Sequence, residues 1–231
     1  MKIGIIVADS DEYKPLAQLI ESEYYEDYSF LRRKGHKFEI NANEKTAEVI
    51  SILCGIGKVN AAAVAAHFVD IGCDIILNYG LSGGISNIGR GEICACTKFL
   101  EHDFNLTGIG YKPCEKPSQE YIYDSDSSLI ELCEKIVPNL KKGVAVSGDS
   151  FICDDDTRNR LKADFNAMSC DMETAAIAYV CNFSNIPFLA LRRISDDAGA
   201  DASASYREMN TSDDTLLSDY IIELIKSLIN S

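Results

Sequence analysis

The chain has 231 residues, 46% hydrophobic and 25% charged, an ordinary globular composition that excludes disorder over most of its length. Lys and Arg number 22 against 36 Asp and Glu, a formal charge of −14, which argues against nucleic acid or an anionic membrane surface as partner. No apolar run approaches the roughly 18 residues of a membrane span, and the apolar start Ile3–Ala8 runs straight into Asp9-Ser10-Asp11-Glu12, unlike a signal peptide. A cytosolic protein is expected. The nine Cys include no CxxC pair, so they read as small buried hydrophobes rather than zinc ligands, and no metal or cofactor is expected.

In chain order, Ile3–Val7 predicts a strand and Glu12–Glu23 a helix. Phe38–Ile40 and Val49–Leu53 predict strands. Lys58–Ile71, Ala-rich and framed by Gly57 and Gly72, predicts a helix. Asp74–Asn78 predicts a buried strand running into Gly80, and Glu92–Leu100 a longer strand. Ser127–Val137 predicts a helix, preceded by Asp124, Ser125 and Asp126 and stopped by Pro138. Strand Gly143–Val146 and a short helix over Asp156–Ala163 follow. Helix Glu173–Cys181, strand Pro187–Ile194 and amphipathic helix Thr215–Ile229 complete the chain. Pro113–Ser118 reads as a flexible surface loop. The alternation predicts a single α/β domain over 1–231, three-layered α/β/α, with a mixed, largely parallel central sheet.

Ligands in such sheets sit beyond the carboxyl ends of the strands, which singles out four segments. Asp9-Ser10-Asp11-Glu12 is acidic at a helix start, where capping alone accounts for it. Gly80-Leu81-Ser82-Gly83-Gly84 suits either a tight turn or close backbone approach to a ligand. Gly55-Ile56-Gly57-Lys58 resembles the end of a phosphate loop, but Ile52 and Val59 stand where Gly and Ser or Thr are required, which rejects an NTPase. Ser169-Cys170-Asp171-Met172-Glu173-Thr174 again has a capping explanation. Arg192-Arg193-Ile194-Ser195-Asp196-Asp197 places two arginines in an otherwise apolar strand, and charges are rarely buried there without partners. His36, His67 and His102 are scattered, and no Ser-His-Asp set can be assembled. Carboxylates at strand ends with Gly-rich backbone nearby suit acid/base cleavage of a glycosidic bond.

Taken together, these segments resemble the 5′-methylthioadenosine/S-adenosylhomocysteine nucleosidases of the nucleoside phosphorylase superfamily. The resemblance rests on Met1–Ile6 with Glu12, Gly55–Ala62, Asn78-Tyr79-Gly80 with Gly83-Gly84, and His102-Asp103 with Thr107, Gly110 and Tyr111. Ser147–Ile152, Asp171-Met172-Glu173, and Arg192 with Ile194-Ser195-Asp196 complete it, in family order over nearly the whole chain.

The resemblance implies hydrolysis of adenosine-type thioether nucleosides to adenine and the thioribose. Asp196 would protonate adenine N7, helped by Ser195. Glu12 would take a proton from the attacking water, which Arg192 would help to place. Glu173 and the Met172 backbone would hold the ribose hydroxyls. Phe151 would stack on the base, and the Ile152 backbone would read its edge. Ser82 and Gly83 would line the same pocket, with Tyr206 near the 5′ end. The His102–Tyr111 loop would cross a two-fold axis, so that Leu106 and Ile109 line the site of a homodimer partner. Phosphorylases of the superfamily carry Arg in a Gly-rich first loop. Here that loop is acidic and would repel phosphate, which makes water the nucleophile. The chain departs from the family at Leu81 and Ser82, where a Ser-Ala pair is usual, and at Thr174 and Arg193.

Overall fold

In a computed structural model, residues 1–210 and 214–230 are described. Strand β1 (Lys2–Val7) leads into helix α1 (Ser10–Glu21), followed by β2 (Tyr25–Phe30), β3 (Arg33–Ala42), β4 (Lys45–Leu53) and helix α2 (Lys58–Asp70). Next come β5 (Ile75–Gly84), β6 (Ile93–Glu101), a 3-10 turn at Thr107–Ile109, the short β7 (Tyr123–Asp124) and α3 (Ser127–Ile136). Strand β8 (Lys141–Ser147), α4 (Asp155–Phe165), β9 (Ala167–Asp171), α5 (Thr174–Ser184), β10 (Phe188–Asp196), α6 (Ala202–Asn210) and α7 (Leu216–Asn230) follow.

All ten described strands join one sheet in the order β10-β6-β8-β9-β5-β1-β4-β3-β2, with β7 on β6. Strand β10 also pairs with β5, so β10, β6, β8, β9 and β5 close into a ring from which β1, β4, β3 and β2 extend. Among the described strands, five pairings are parallel and five antiparallel. The sheet is therefore mixed, as the alternation predicted, with more antiparallel pairing than the alternation conveys. The extra pairing comes largely from the meander β2-β3-β4.

Period-two alternation divides the core. Ile3, Ile5 and Val7 of β1 face α1, α3 and α7, while Ile6 faces α2 and α5. Helices thus cover both faces, and burial on both sides makes β1 and β5 read as continuous apolar runs.

Several boundaries move. The strand expected over Phe38–Ile40 runs the full Arg33–Ala42, because its charged residues alternate outward. The strand expected to end at Asn78 continues to Gly84, so Gly80–Gly84 is strand and not a tight turn. Strand β2 was unforeseen: Tyr25-Glu26-Asp27-Tyr28 carries charges that suit an edge strand. The Pro113–Ser118 loop is anchored rather than loose, with Cys114 buried and Lys116 ion-paired to Glu101. Eight of the nine cysteines are buried, and Cys153 is exposed.

Candidate active site

The carboxyl ends of β1, β5, β9 and β10 meet around a cavity of about 300 Å³, which contains Glu12, Ser82, Gly83, Phe151, Met172, Glu173, Arg192, Ser195, Asp196 and Tyr206 among its lining residues. The four segments singled out in the sequence are therefore neighbours in space.

Arg192 lies at its floor with 1% of its surface exposed. A charge so deep requires partners. Its Nε donates to Asp171 Oδ2 at 3.1 Å, and its Nη2 donates to Asn78 Oδ1 at 2.5 Å and to Thr174 Oγ1 at 2.8 Å. Burial works against the guanidinium charge, but Asp171 leads a set of acids that outweigh it and hold the group protonated. The unusual Thr174 thus has a definite task here, as a hydroxyl acceptor for Arg192. Asp171 is fixed in turn: Ser147 Oγ donates to it at 2.5 Å, and the Glu173 and Thr174 amides donate at 3.1 and 3.0 Å. Neither Asp171 nor Asn78 was expected at the site. Asn78 carried a signal, a lone amide ending an apolar strand. Asp171 carried none beyond its capping position.

Glu12 and Arg192 meet over Gly80. A Cβ built there would fall 2.5 Å from Glu12 Oε2 and 2.6 Å from Arg192 Nη1, so only a bare Cα admits both groups. The Leu81 amide donates to Glu12 Oε1 at 2.8 Å. Because this bond comes from the main chain, Leu in place of a small polar residue leaves it intact. Burial pushes the Glu12 carboxyl up to about 8, against the opposing pull of that amide and of Arg192.

Glu173 stands at the N-cap position of α5 with no side-chain capping bond. Its carboxyl instead accepts from the Gly57 amide at 2.9 Å and from the Met172 amide at 3.3 Å. Burial, then the charge of Asp171, raises it to about 7. Gly57 has φ +103°, a conformation that turns its N–H toward Glu173 and that side-chain-bearing residues rarely adopt.

Asp196 ends β10 beyond a bulge. Ile194 pairs with Ser82 and Asp196 with Gly83, which leaves Ser195 as an extra residue that re-aims the carboxyl. Ser195 Oγ donates to Asp196 Oδ2 at 2.6 Å, and the Ala198 amide donates to Oδ1 at 2.8 Å. Burial raises the Asp196 carboxyl, and the Asp197 charge adds to the rise. Asp197 itself points outward, to Arg158 at 3.5 Å.

A small extension of the cavity beside Asp196 is lined by Phe151 and Ile152. The Phe151 and Tyr206 rings stand edge to face with centroids 5.5 Å apart. Ser82 lines the cavity, while its hydroxyl donates to the Cys170 carbonyl at 2.7 Å. Leu106 and Ile109 are not among the cavity's lining residues: they lie at the 3-10 turn, where Ile109 is 72% exposed. Among the described residues no group of His, Cys, Asp and Glu could hold a metal ion.

The sequence profile of the phosphorylase superfamily matches residues 2–230. The chain belongs to this superfamily. A Staphylococcus carnosus 5′-methylthioadenosine/S-adenosylhomocysteine nucleosidase is 33% identical over 233 residues, covering 98% of this chain and 100% of the relative. A Campylobacter jejuni aminodeoxyfutalosine nucleosidase is 27% identical, covering 99% and 100%. The S. pneumoniae 5′-methylthioadenosine/S-adenosylhomocysteine nucleosidase, solved with the transition-state inhibitor MT-ImmA, superimposes with a TM-score of 0.88 at 27% identity, covering 99% of this chain and 100% of that one. The nucleoside phosphorylase/hydrolase-like fold class expected from the sequence is thus the one observed.

Proposed function

We propose that the chain is a hydrolytic N-glycosidase that cleaves 5′-methylthioadenosine, S-adenosylhomocysteine and, by the same chemistry, 5′-deoxyadenosine, releasing adenine and the corresponding pentose. The observation that carries the reading is a cavity holding three carboxyls whose affinity for protons is raised by burial, beside one buried guanidinium. Perturbed acids gathered in one cleft are the usual mark of acid/base chemistry.

Adenine lies between Phe151 and the Ile152 backbone, with N7 toward Asp196. The neutral Asp196 carboxyl gives its proton to N7 as the N9–C1′ bond breaks, and the sugar becomes oxocarbenium-like. Glu173 and the Met172 backbone hold the ribose hydroxyls. A water placed by Arg192 attacks C1′ and yields its proton to ionised Glu12. In the free protein a group near 8 is mostly protonated at neutral pH. The cationic sugar beside it favours the ionised form as the bond breaks, which couples the base to the reaction. The relatives' names support the substrate class.

The first loop, where Asp9 and Glu12 line the cavity, is acidic, which supports water over phosphate as the nucleophile. Incubation with 5′-methylthioadenosine, with and without phosphate, decides this: adenine and free methylthioribose are expected at equal rates in both. A sugar 1-phosphate sinks the hydrolase reading.

A homodimer is part of the same proposal. Ile56, Val59, Ile109, Ile122, Tyr179 and Phe183 are exposed, and the Tyr179 and Phe183 rings lie 4.9 Å apart, apolar groups that a partner subunit would cover. Leu106 and Ile109 would then reach the partner's site. An active monomer in sedimentation at micromolar concentration would refute this. A cytosolic setting suits nine free thiols, and no helix among the described residues is long and apolar enough to cross a membrane.

A further inference from the structure

Lys58 ends the Gly55-Ile56-Gly57-Lys58 segment, and with a phosphate loop rejected the proposed reaction gives it no task. It opens α2 directly after Gly57, whose amide grips Glu173. The Lys58 amide donates to Asp149 Oδ1 at 2.9 Å, and a Cβ on Gly57 would fall 3.2 Å from the same oxygen. The Asp149 amide in turn donates to Asp103 Oδ2 at 2.9 Å, and Lys58 Nζ donates to Asp103 Oδ1 at 2.5 Å. Lys58, Asp149 and Asp103 thus close a ring of hydrogen bonds. Glu101 braces the ring, accepting from Lys58 Nζ at 3.1 Å while ion-paired to Lys116. Burial works against the Lys58 charge, but Asp103 and then Glu101 outweigh it and hold the ammonium protonated.

The ring lies outside the cavity, yet two of its segments lead into it. Gly57 holds the carboxyl of Glu173, and Phe151 and Ile152, just beyond Asp149, line the space beside Asp196. Asp103 follows β6 and belongs to neither segment. Its neighbour His102 supports the second one: the His102 amide donates to the Ser147 carbonyl at 2.9 Å, and its ring lies against Gly148, where a Cβ would fall 2.4 Å from Nε2. His102 therefore supplies packing to Ser147-Gly148-Asp149, and Asp103 supplies charge. Because a carboxylate has two acceptor oxygens, Asp103 takes one donor from each segment. Without it two of the three edges of the ring vanish, and only the bond from the Lys58 amide to Asp149 remains.

We propose that Asp103 is a positioning residue for the nucleoside, setting the base wall through Asp149 and the ribose anchor Glu173 through Lys58 and Gly57. The inference rests on the nucleosidase reading and deepens it, since it names what aligns the two halves of that site.

Asp103→Ala tests it. The side chain is 30% exposed, so its truncation should leave the fold intact. The dissociation constant of adenine, which reports the base wall alone, should rise about tenfold. KM for 5′-methylthioadenosine should rise about tenfold beyond that, because Glu173 shifts as well, with kcat within about threefold of wild type. In a Glu173→Gln background the anchor through which Asp103 acts is already lost. There the excess should disappear, and the rise in KM should match the rise for adenine. A merely structural defect would instead act equally in both backgrounds. Unchanged adenine affinity, or an excess on KM that survives Glu173→Gln, overturns the proposal. If Asp103→Ala does not fold, the isosteric Asp103→Asn, which keeps one acceptor oxygen in place of two, is held to the same two readings. A wild-type protein that leaves 5′-methylthioadenosine intact overturns the nucleosidase reading itself, a result distinct from an active wild type that Asp103→Ala leaves unaltered.

Discussion

Asp9–Glu12 and Asp171–Glu173 are built on one plan and end with different chemistry. Each starts where a strand ends and a helix begins. In each the first acid accepts from backbone: Asp9 from the Asp11 amide, and Asp171, which also holds Arg192, from the amides of Glu173 and Thr174. In each the last acid, Glu12 or Glu173, turns into the cavity. There the two part. Glu173 accepts two main-chain N–H groups, from Gly57 and Met172, whereas Glu12 accepts one, from Leu81. Glu12 is pushed to about 8 and Glu173 to about 7. Donors aimed at a carboxylate favour its charged form. The acid with fewer donors is the better proton carrier, and the one gripped twice is the better anchor. In the proposed reaction capping and catalysis are thus successive uses of one acidic segment rather than competing explanations of it.

The largest effect should fall on the proton carriers. Glu12→Gln keeps the shape and can still accept from the Leu81 amide, but it cannot take a proton. Its kcat should fall by about 10²–10⁴-fold with KM little changed, the usual contribution of one general base. A Glu12→Gln enzyme within a few-fold of wild type would make Glu12 a second anchor and dissolve the distinction from Glu173.

Asp196→Asn tests the other end of the proton path. Asn can still hydrogen-bond the base, so adenine binding and melting temperature should hold while kcat falls about 10²-fold or more. If Asp196 only terminates β10, the variant should instead lose about 1 kcal/mol of stability, as for a lost cap, with kcat intact. Turnover, adenine affinity and melting temperature on one preparation separate the two outcomes.

Glu173→Gln should act mainly on binding. Only one of the Gly57 and Met172 amides, which donate to different oxygens, retains an acceptor, and the charge proposed to face the ribose hydroxyls is lost, so KM should rise about tenfold to a hundredfold, the worth of a hydrogen bond to a charged group. A pure kcat defect at unchanged KM would reverse the roles of the two glutamates.

How far the sequence reveals this site follows from locality. Glu12, Glu173 and Asp196 stand at strand ends that apolar runs disclose. Arg192 is visible as a charge where none belongs. Gly80 is visible as a glycine, but its reason, two charged groups converging over one Cα, depends on β5 and β10 pairing across more than a hundred residues. The closed ring of β10, β6, β8, β9 and β5 is equally invisible, since β5–β9 and β10–β6 pair distant segments over only a few residues. Helix α6, which carries Tyr206, follows a stretch rich in Asp, Gly, Ala and Ser with no apolar period, so nothing local marks it. Asp171 looks like any helix cap until Arg192 arrives beside it.

The smallest effect, and the one that reads the Glu12 environment without substrate, is on stability against pH. Glu12 has an ordinary value of 4.5 and is held near 8 in the folded protein. Between those limits the folded state keeps a proton that the unfolded chain releases. The stability this group contributes is therefore complete below about 4.5, and it is lost as pH rises toward and through 8. Glu173, raised to about 7, acts in the same direction over a narrower window. Gln at position 12 does not titrate. The melting temperature of Glu12→Gln relative to wild type should therefore climb between pH 5 and pH 8.5, by about 5 °C or more if much of the shift is realised. Glu173→Gln should show a smaller climb that is finished at lower pH, because its two amide donors already stabilise the ionised form. Differential scanning of the three proteins across that range measures both. Equal climbs would show that the amide donors do not set the two acids apart, and a flat difference for Glu12→Gln would show that its carboxyl is solvated, which removes the basis for its role as the tuned base.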